Sequence, residues 1–183
     1  VTAEAPQETA VRIGELHVLR PGATASLVAV GLGSCAGVAI VDERSGAAAL
    51  AHVFLPERPD SGGRPGAGDG TYADVAIPAL VAAVEAAAGS SATRLVAVVA
   101  GGSQMFGARP GSDVGSRNVE AVRAALARAG VRVEREDVGG RRGRTMRIDA
   151  SDRIVVTVRV VGSEPQELWA SGPARETGWS AAA

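Results

Sequence analysis

A mixed α/β class in which strands outnumber helices is what this 183-residue sequence predicts. Three observations carry that prediction. Short β-branched or alanine-rich apolar runs, at 27–30, 38–41, 94–100 and 154–161, are each bounded on at least one side by glycine. Two longer segments instead space their apolar residues helically: Ile77, Leu80, Val81 and Val84, then Val119, Val122 and Leu126. Neither internal repeats nor heptads interrupt the pattern, so one domain of ordinary size is expected.

Residues 1–10 are polar and aperiodic and are expected to form a loose tail. A first strand is read at 13–19, closed by a turn at Pro21-Gly22, and a buried strand at 27–30 runs into Gly31. A strand at 38–41 and another at 47–55 flank the turn sequence Asp42-Glu43-Arg44-Ser45-Gly46. Residues 56–70, rich in Gly, Pro, Asp and Ser, make a loop about as long as ordered loops become. A helix at 74–88 follows, with Pro78 placed in its first turn. The strand at 94–100 enters Gly101-Gly102 and a second long loop, 101–116. The helix at 117–129 is read as capped near Ser116 or Asn118 and is ended by Gly130. Strands at 131–138, 145–148 and 154–161 complete a domain spanning 11–161, and 162–183 reads as a partly disordered extension.

Composition excludes several classes. With a net charge of −1 the chain has no bulk field for nucleic acid or an anionic membrane. At 3% aromatics it has no stacking platform for single strands. No apolar run reaches the roughly 18 residues that span a bilayer. Residues 1–10 carry neither a basic nor an apolar signal region. One cysteine makes no internal disulfide, and a lone thiol suits a reducing cytoplasm. Two histidines and that cysteine, 18 and 17 residues apart, do not make a zinc site, and no cofactor is expected. Arg141, Arg142, Arg144 and Arg147 read as a solvated cluster, and Glu134 and Glu136 as one face of a solvated edge strand.

The chemistry centres on Cys35. A free cysteine is more often a small buried hydrophobe than a nucleophile. This one, however, follows Gly31-Leu32-Gly33-Ser34 directly after an apolar strand, where glycines let backbone amides approach closely. Such amides lower a thiol pKa and can form an oxyanion hole around Gly33 and Ser34. His17, between Leu16 and Val18, reads as structural or surface. His52 lies on the strand returning from the turn at 42–46. If 36–41 and 48–54 pair as a hairpin, its imidazole reaches the thiol, which is the arrangement that activates a thiolate. A half-buried strand histidine is the competing reading. Gly31-Leu32-Gly33-Ser34-Cys35-Ala36 also matches a dinucleotide-binding pattern, but that pattern needs a helix next, and 37–41 reads as strand.

Taken together, the ordered blocks resemble the CheD family of chemoreceptor glutamine deamidases. The blocks are Gly31-Leu32-Gly33-Ser34-Cys35, then Ala51-His52-Val53-Phe54-Leu55-Pro56-Glu57, Tyr72 to Ile77, Gly101 to Phe106, Gly115 to Glu120, and Glu136 to Gly140 with Gly143-Arg144-Thr145. The resemblance covers about residues 13 to 161. It implies a layered sandwich of mainly antiparallel sheet packed with two or three helices, similar to the deamidase domain of cytotoxic necrotising toxins. It implies Cys35 as nucleophile and His52 as base, with Ser103, Gln104 and Phe106 as possible pocket or partner contacts. Implied partners are the cytoplasmic helices of chemoreceptors and a CheC-type phosphatase, with the chain a monomer when free. One departure stands out. The family's third catalytic position, a threonine six residues before the cysteine, is here Ala29. Ser26 would lie on the opposite strand face, and Ser34 would serve the turn. Either another group orients His52, or the chain is a weakly active or non-catalytic adaptor that binds a CheC-type phosphatase.

Overall fold

The structure is a computed structural model that describes residues 7–90, 93–104 and 113–172. Its elements run β1 (Gln7–Ala10), β2 (Leu16–Leu19), β3 (Ala25–Leu32), β4 (Ala36–Asp42), β5 (Ala48–Val53), α1 (Ala73–Ala88), β6 (Leu95–Gly101), α2 (Val114–Arg128), β7 (Arg132–Val138), β8 (Arg144–Ala150), β9 (Ile154–Val160) and β10 (Gln166–Ala170). They form two five-stranded sheets, in the orders β1-β3-β8-β9-β10 and β2-β5-β4-β6-β7. Only β1–β3 and β6–β7 pair in parallel among the described strands. The class is the mixed α/β sandwich expected.

Strand alternation explains the layering. On β4, Ala39 and Val41 face the first sheet, while Val38 and Ile40 face the helices. Every residue of β4 and β5 is buried, so these strands read as continuous apolar runs. One core lies between the sheets, with Leu27, Met146, Ile148 and Val156 meeting Leu50, Val96 and Val98. The second lies between the other face of the second sheet and the helices, around Ile77, Leu80, Val84, Val122 and Leu126. The order is therefore sheet, sheet, helices.

Several expectations move. Gln7–Ala10, read as loose tail, is β1 and pairs with β3, and Gln166–Ala170 pairs with β9, so ordered structure passes 11–161 at both ends. Edge strands add by backbone hydrogen bonds and need little apolar periodicity. The first strand shortens to Leu16–Leu19 because Gly14, at φ +80°, turns the chain. Pro78 sits inside α1 rather than in its first turn. Helix α2 starts at Val114 with Asp113 as its cap, accepting from the Ser116 amide at 3.0 Å, and neither Ser116 nor Asn118 caps it. No helix among the described residues is long and apolar enough to cross a membrane.

Candidate active site

The site gathers at one end of the second sheet, where β4 begins and β5 and β6 finish. Register pairs Ala36 with both Val53 and Gly101, and Gly37 with His52. Cys35 stands one residue before β4. It shares a core with Ala39 and Val41, while His52 has the same strand parity as Leu50 and Ala48 of that core. Both side chains thus lie on the inward face, as diagonal cross-strand neighbours. Both are buried, Cys35 at 6% and His52 at 1% exposure. Strand follows Cys35, not helix, so the dinucleotide reading fails.

The loop bearing Cys35 is held through three consecutive carbonyls. The Ser103 amide donates to Gly33 O at 2.7 Å, and the Gly102 amide to Cys35 O at 2.8 Å. Asn118 Nδ2 donates to Ser34 O at 2.9 Å. Glycine makes this approach possible. A Cβ on Gly101, whose φ is +108°, would lie 2.3 Å from Cys35 O. One on Gly115 would lie 2.6 Å from Gly102 O. The Gly101-Gly102 step thus brings β6 and the first turn of α2 against the cysteine loop.

His52 is oriented by the main chain. Its Nδ1 lies 3.4 Å from Val11 O. A carbonyl only accepts, so Nδ1 carries the hydrogen and Nε2 bears the lone pair. Nε2 is buried without a hydrogen-bond partner. The Cys35–His52 hydrogen bond expected from the sequence is therefore not formed in this state; such contacts often tighten only with substrate bound. Ala29 lies fully buried on the inward face of β3 and offers only a methyl at the position where the resemblance implied a threonine. Ser26 faces the other way and accepts from Arg147 at 2.8 Å.

Burial governs both titrations. It pushes the Cys35 thiol above its ordinary pKa, partly offset by the residue's own backbone amide. It pushes His52 below its ordinary pKa, partly offset by the Val11 carbonyl. A resting thiolate–imidazolium pair is disfavoured, which reverses the lowered thiol pKa that the glycine-rich setting suggests. Both shifts favour the neutral form, thiol at Cys35 and imidazole at His52.

The remaining candidates separate. The Gly33 amide is committed to Gly31 O at 2.8 Å, whereas the Cys35 amide faces its own sulfur. Ser34 contributes a held carbonyl. Ser103 is buried, and its Oγ donates to Arg142 O at 2.7 Å. Arg144 is not part of a solvated cluster: it is buried, donating to Ser103 Oγ at 2.7 Å and pairing with Asp137 at 2.8 Å. Gln104 is exposed, with Nε2 donating to Asp113 at 2.7 Å. Phe106 lies outside the described residues. His17 is half-exposed beside Glu15. Edge strand β7 carries Glu134 and Glu136 in surface pairs with Arg132 and Arg123. No cluster of three or more potential metal ligands occurs among the described residues. A groove of about 380 Å³, lined by Ile13, Gly14, Phe54, Arg64, Pro65 and Thr71 among others, adjoins the site, since the Gly14 amide donates to His52 O.

Sequence reasoning missed Val11, Asn118 and Arg144. A backbone carbonyl leaves no sequence signal. Asn118 did leave one, because it stands four and seven residues before the buried Val122 and Ala125.

Residues 54–159 match the family model described as CheD chemotactic sensory transduction. The chain is 45% identical over 163 residues to a "Probable chemoreceptor glutamine deamidase CheD" of Symbiobacterium thermophilum, covering 87% of this chain and 96% of that protein. It is 38% identical over 159 residues to the chemoreceptor glutamine deamidase CheD of Thermotoga maritima, covering 86% and 96%. A similar relative in Clostridium botulinum Eklund 17B is 36% identical over 165 residues, covering 88% and 99%. The family model begins beyond Cys35 and His52, but alignments of this extent necessarily span both. The chain belongs to the CheD family.

Proposed function

We propose that this CheD-family chain is a chemoreceptor glutamine deamidase in which Cys35 is the nucleophile and His52 the base. The observation that carries the residue assignment is the buried, lone-pair-bearing Nε2 of His52 on the same sheet face and at the same strand end as Cys35. In the reaction, Nε2 takes the Cys35 proton as Sγ attacks the side-chain amide carbon of a receptor glutamine. The Cys35 amide donates to the developing oxyanion, since it already faces the sulfur. The imidazolium returns its proton to the departing nitrogen, and the C–N bond breaks to release ammonia and leave a thioester. Water, deprotonated by His52, attacks the thioester carbonyl; glutamate forms and the thiol is restored.

A neutral resting pair suits this sequence, because proton transfer is coupled to attack. The Val11 carbonyl supplies the ring orientation that a hydroxyl at Ala29 would otherwise give. The substrate is a helix of a chemoreceptor's cytoplasmic region, the enzyme acts in the cytoplasm, where a lone thiol stays reduced, and it is a monomer when free. A CheC-type phosphatase is a second partner. The test is mass spectrometry of a receptor cytoplasmic fragment after incubation. Wild type should add about one dalton per converted glutamine, and Cys35→Ala should add none. A wild type that leaves every glutamine intact, yet binds a CheC-type protein as tightly as Cys35→Ala does, would establish the adaptor reading instead.

A further inference from the structure

We propose that Asn118 is a positioning residue of this site, clamping the nucleophile loop to the histidine strand; the inference rests on the deamidase reading above. Asn118 lies within α2 and is fully buried. Its Nδ2 donates to Ser34 O at 2.9 Å and to Phe54 O at 3.0 Å. Ser34 directly precedes Cys35, and Phe54 follows His52 by two residues. One side-chain nitrogen thus spans the two segments whose separation decides whether thiol and imidazole meet.

The amide orientation is fixed by its neighbours. Both partners are carbonyls, which only accept, so the nitrogen and not the oxygen must face them. Both Nδ2 hydrogens are used, and Oδ1 is left buried without a partner. Packing alone does not explain an asparagine here. The same helix face continues with Val119, Val122, Ala125 and Leu126, and an apolar residue would fill that position without an orphaned oxygen. The approach is also prepared elsewhere, because Gly102 and Gly115 let the first turn of α2 lie against the β6 end: a Cβ on Gly115 would lie 2.6 Å from Gly102 O, and one on Gly102 would lie 2.3 Å from Val119 Cγ2.

The contact acts through geometry. Releasing the two carbonyls frees the cysteine loop and the end of β5 to separate, and misplacement of about 1 Å can cost on the order of 100-fold in rate. Asn118 is fully buried and presents nothing to a substrate, so substrate binding is not expected to change.

Two variants test this. Asn118→Leu keeps the shape and removes both donors. Asn118→Asp, held protonated by the two facing carbonyls, keeps one donor until the carboxyl ionises. Each is assayed for deamidation of the receptor fragment, with kcat corrected for the folded fraction, and for alkylation of Cys35 by iodoacetamide across pH. The expected result is kcat lowered roughly 10- to 100-fold in Asn118→Leu at unchanged KM, with an altered alkylation profile. Asn118→Asp should fall between, losing activity as pH rises. Alkylation needs no receptor, so it still judges the clamp if deamidation is absent from wild type. Folded variants with wild-type kcat and alkylation would overturn the proposal. So would a loss that only follows the folded fraction, or failure of both variants to fold, because the residue would then support the fold in general.

Discussion

Replacing Gly101 by alanine should damage site and fold together, and the structure sets the size of the effect. The new Cβ would stand 2.3 Å from Cys35 O, well inside the 3.0 Å that real Cβ contacts do not undercut. The obstacle is backbone, so no rotamer change relieves it. The φ of +108° adds strain of about 1–3 kcal/mol for an L-residue. Overpacking adds a similar amount, about 1–3 kcal/mol, less whatever the loop recovers by moving. A net loss of about 3 kcal/mol is expected, which for a chain of this length lowers Tm by roughly 6–12 °C. Moving the cysteine carbonyl also disrupts its bond from the Gly102 amide, so the rate should fall further than the folded fraction does. Gly89→Ala is the control. Gly89 has φ +69° at the end of α1 with nothing within 4 Å, so it carries the backbone term alone, about 1 kcal/mol. Thermal unfolding and receptor-fragment mass spectrometry on the same samples give both readouts. A Gly101→Ala protein as stable as Gly89→Ala, and as active as wild type, would refute the close approach at Cys35.

Three further outcomes are expected. His52 titrates below its unfolded pKa of about 6.5, so on acidification the unfolded chain takes up its proton first. Wild-type stability should therefore fall as pH drops below that value and level off beneath the folded pKa. His52→Gln, followed by urea unfolding against pH, should lose that slope; an identical slope would show that His52 does not carry it. Ala29→Thr should cost about 1–3 kcal/mol for added volume at a fully buried position, and should not raise the deamidation rate, because Nδ1 already has the Val11 carbonyl. A tenfold faster variant would show that the carbonyl orients the ring poorly. Arg144→Met should destabilise by about 3 kcal/mol by leaving Asp137 and the Gly139 carbonyl without their guanidinium. A melt within 2 °C of wild type would refute that role, given roughly 2–4 °C per kcal/mol.

The sequence by itself determined the strand-rich class, the central strands, both helices and the hairpin that brings Cys35 and His52 onto neighbouring strands. Apolar periodicity is a local property, so β4 to β6 could be read from runs of Ala, Val and Leu buried on both faces, and β3 from a shorter run. The ordered blocks that carried the family resemblance are likewise linear. Tertiary structure decided what linear pattern does not encode. Strand β1 looked like a polar tail because an edge strand is held by backbone hydrogen bonds and not by side-chain burial. Arg144 looked solvated until Ser103, Asp137 and the Gly139 and Arg142 carbonyls closed around it. The partner of His52 proved to be a carbonyl 41 residues away, a group every residue possesses and no sequence distinguishes. Direction of titration also depended on three dimensions: glycines before Cys35 suggested a lowered thiol pKa, but the surrounding core raised it, since desolvation is set by everything packed against the group.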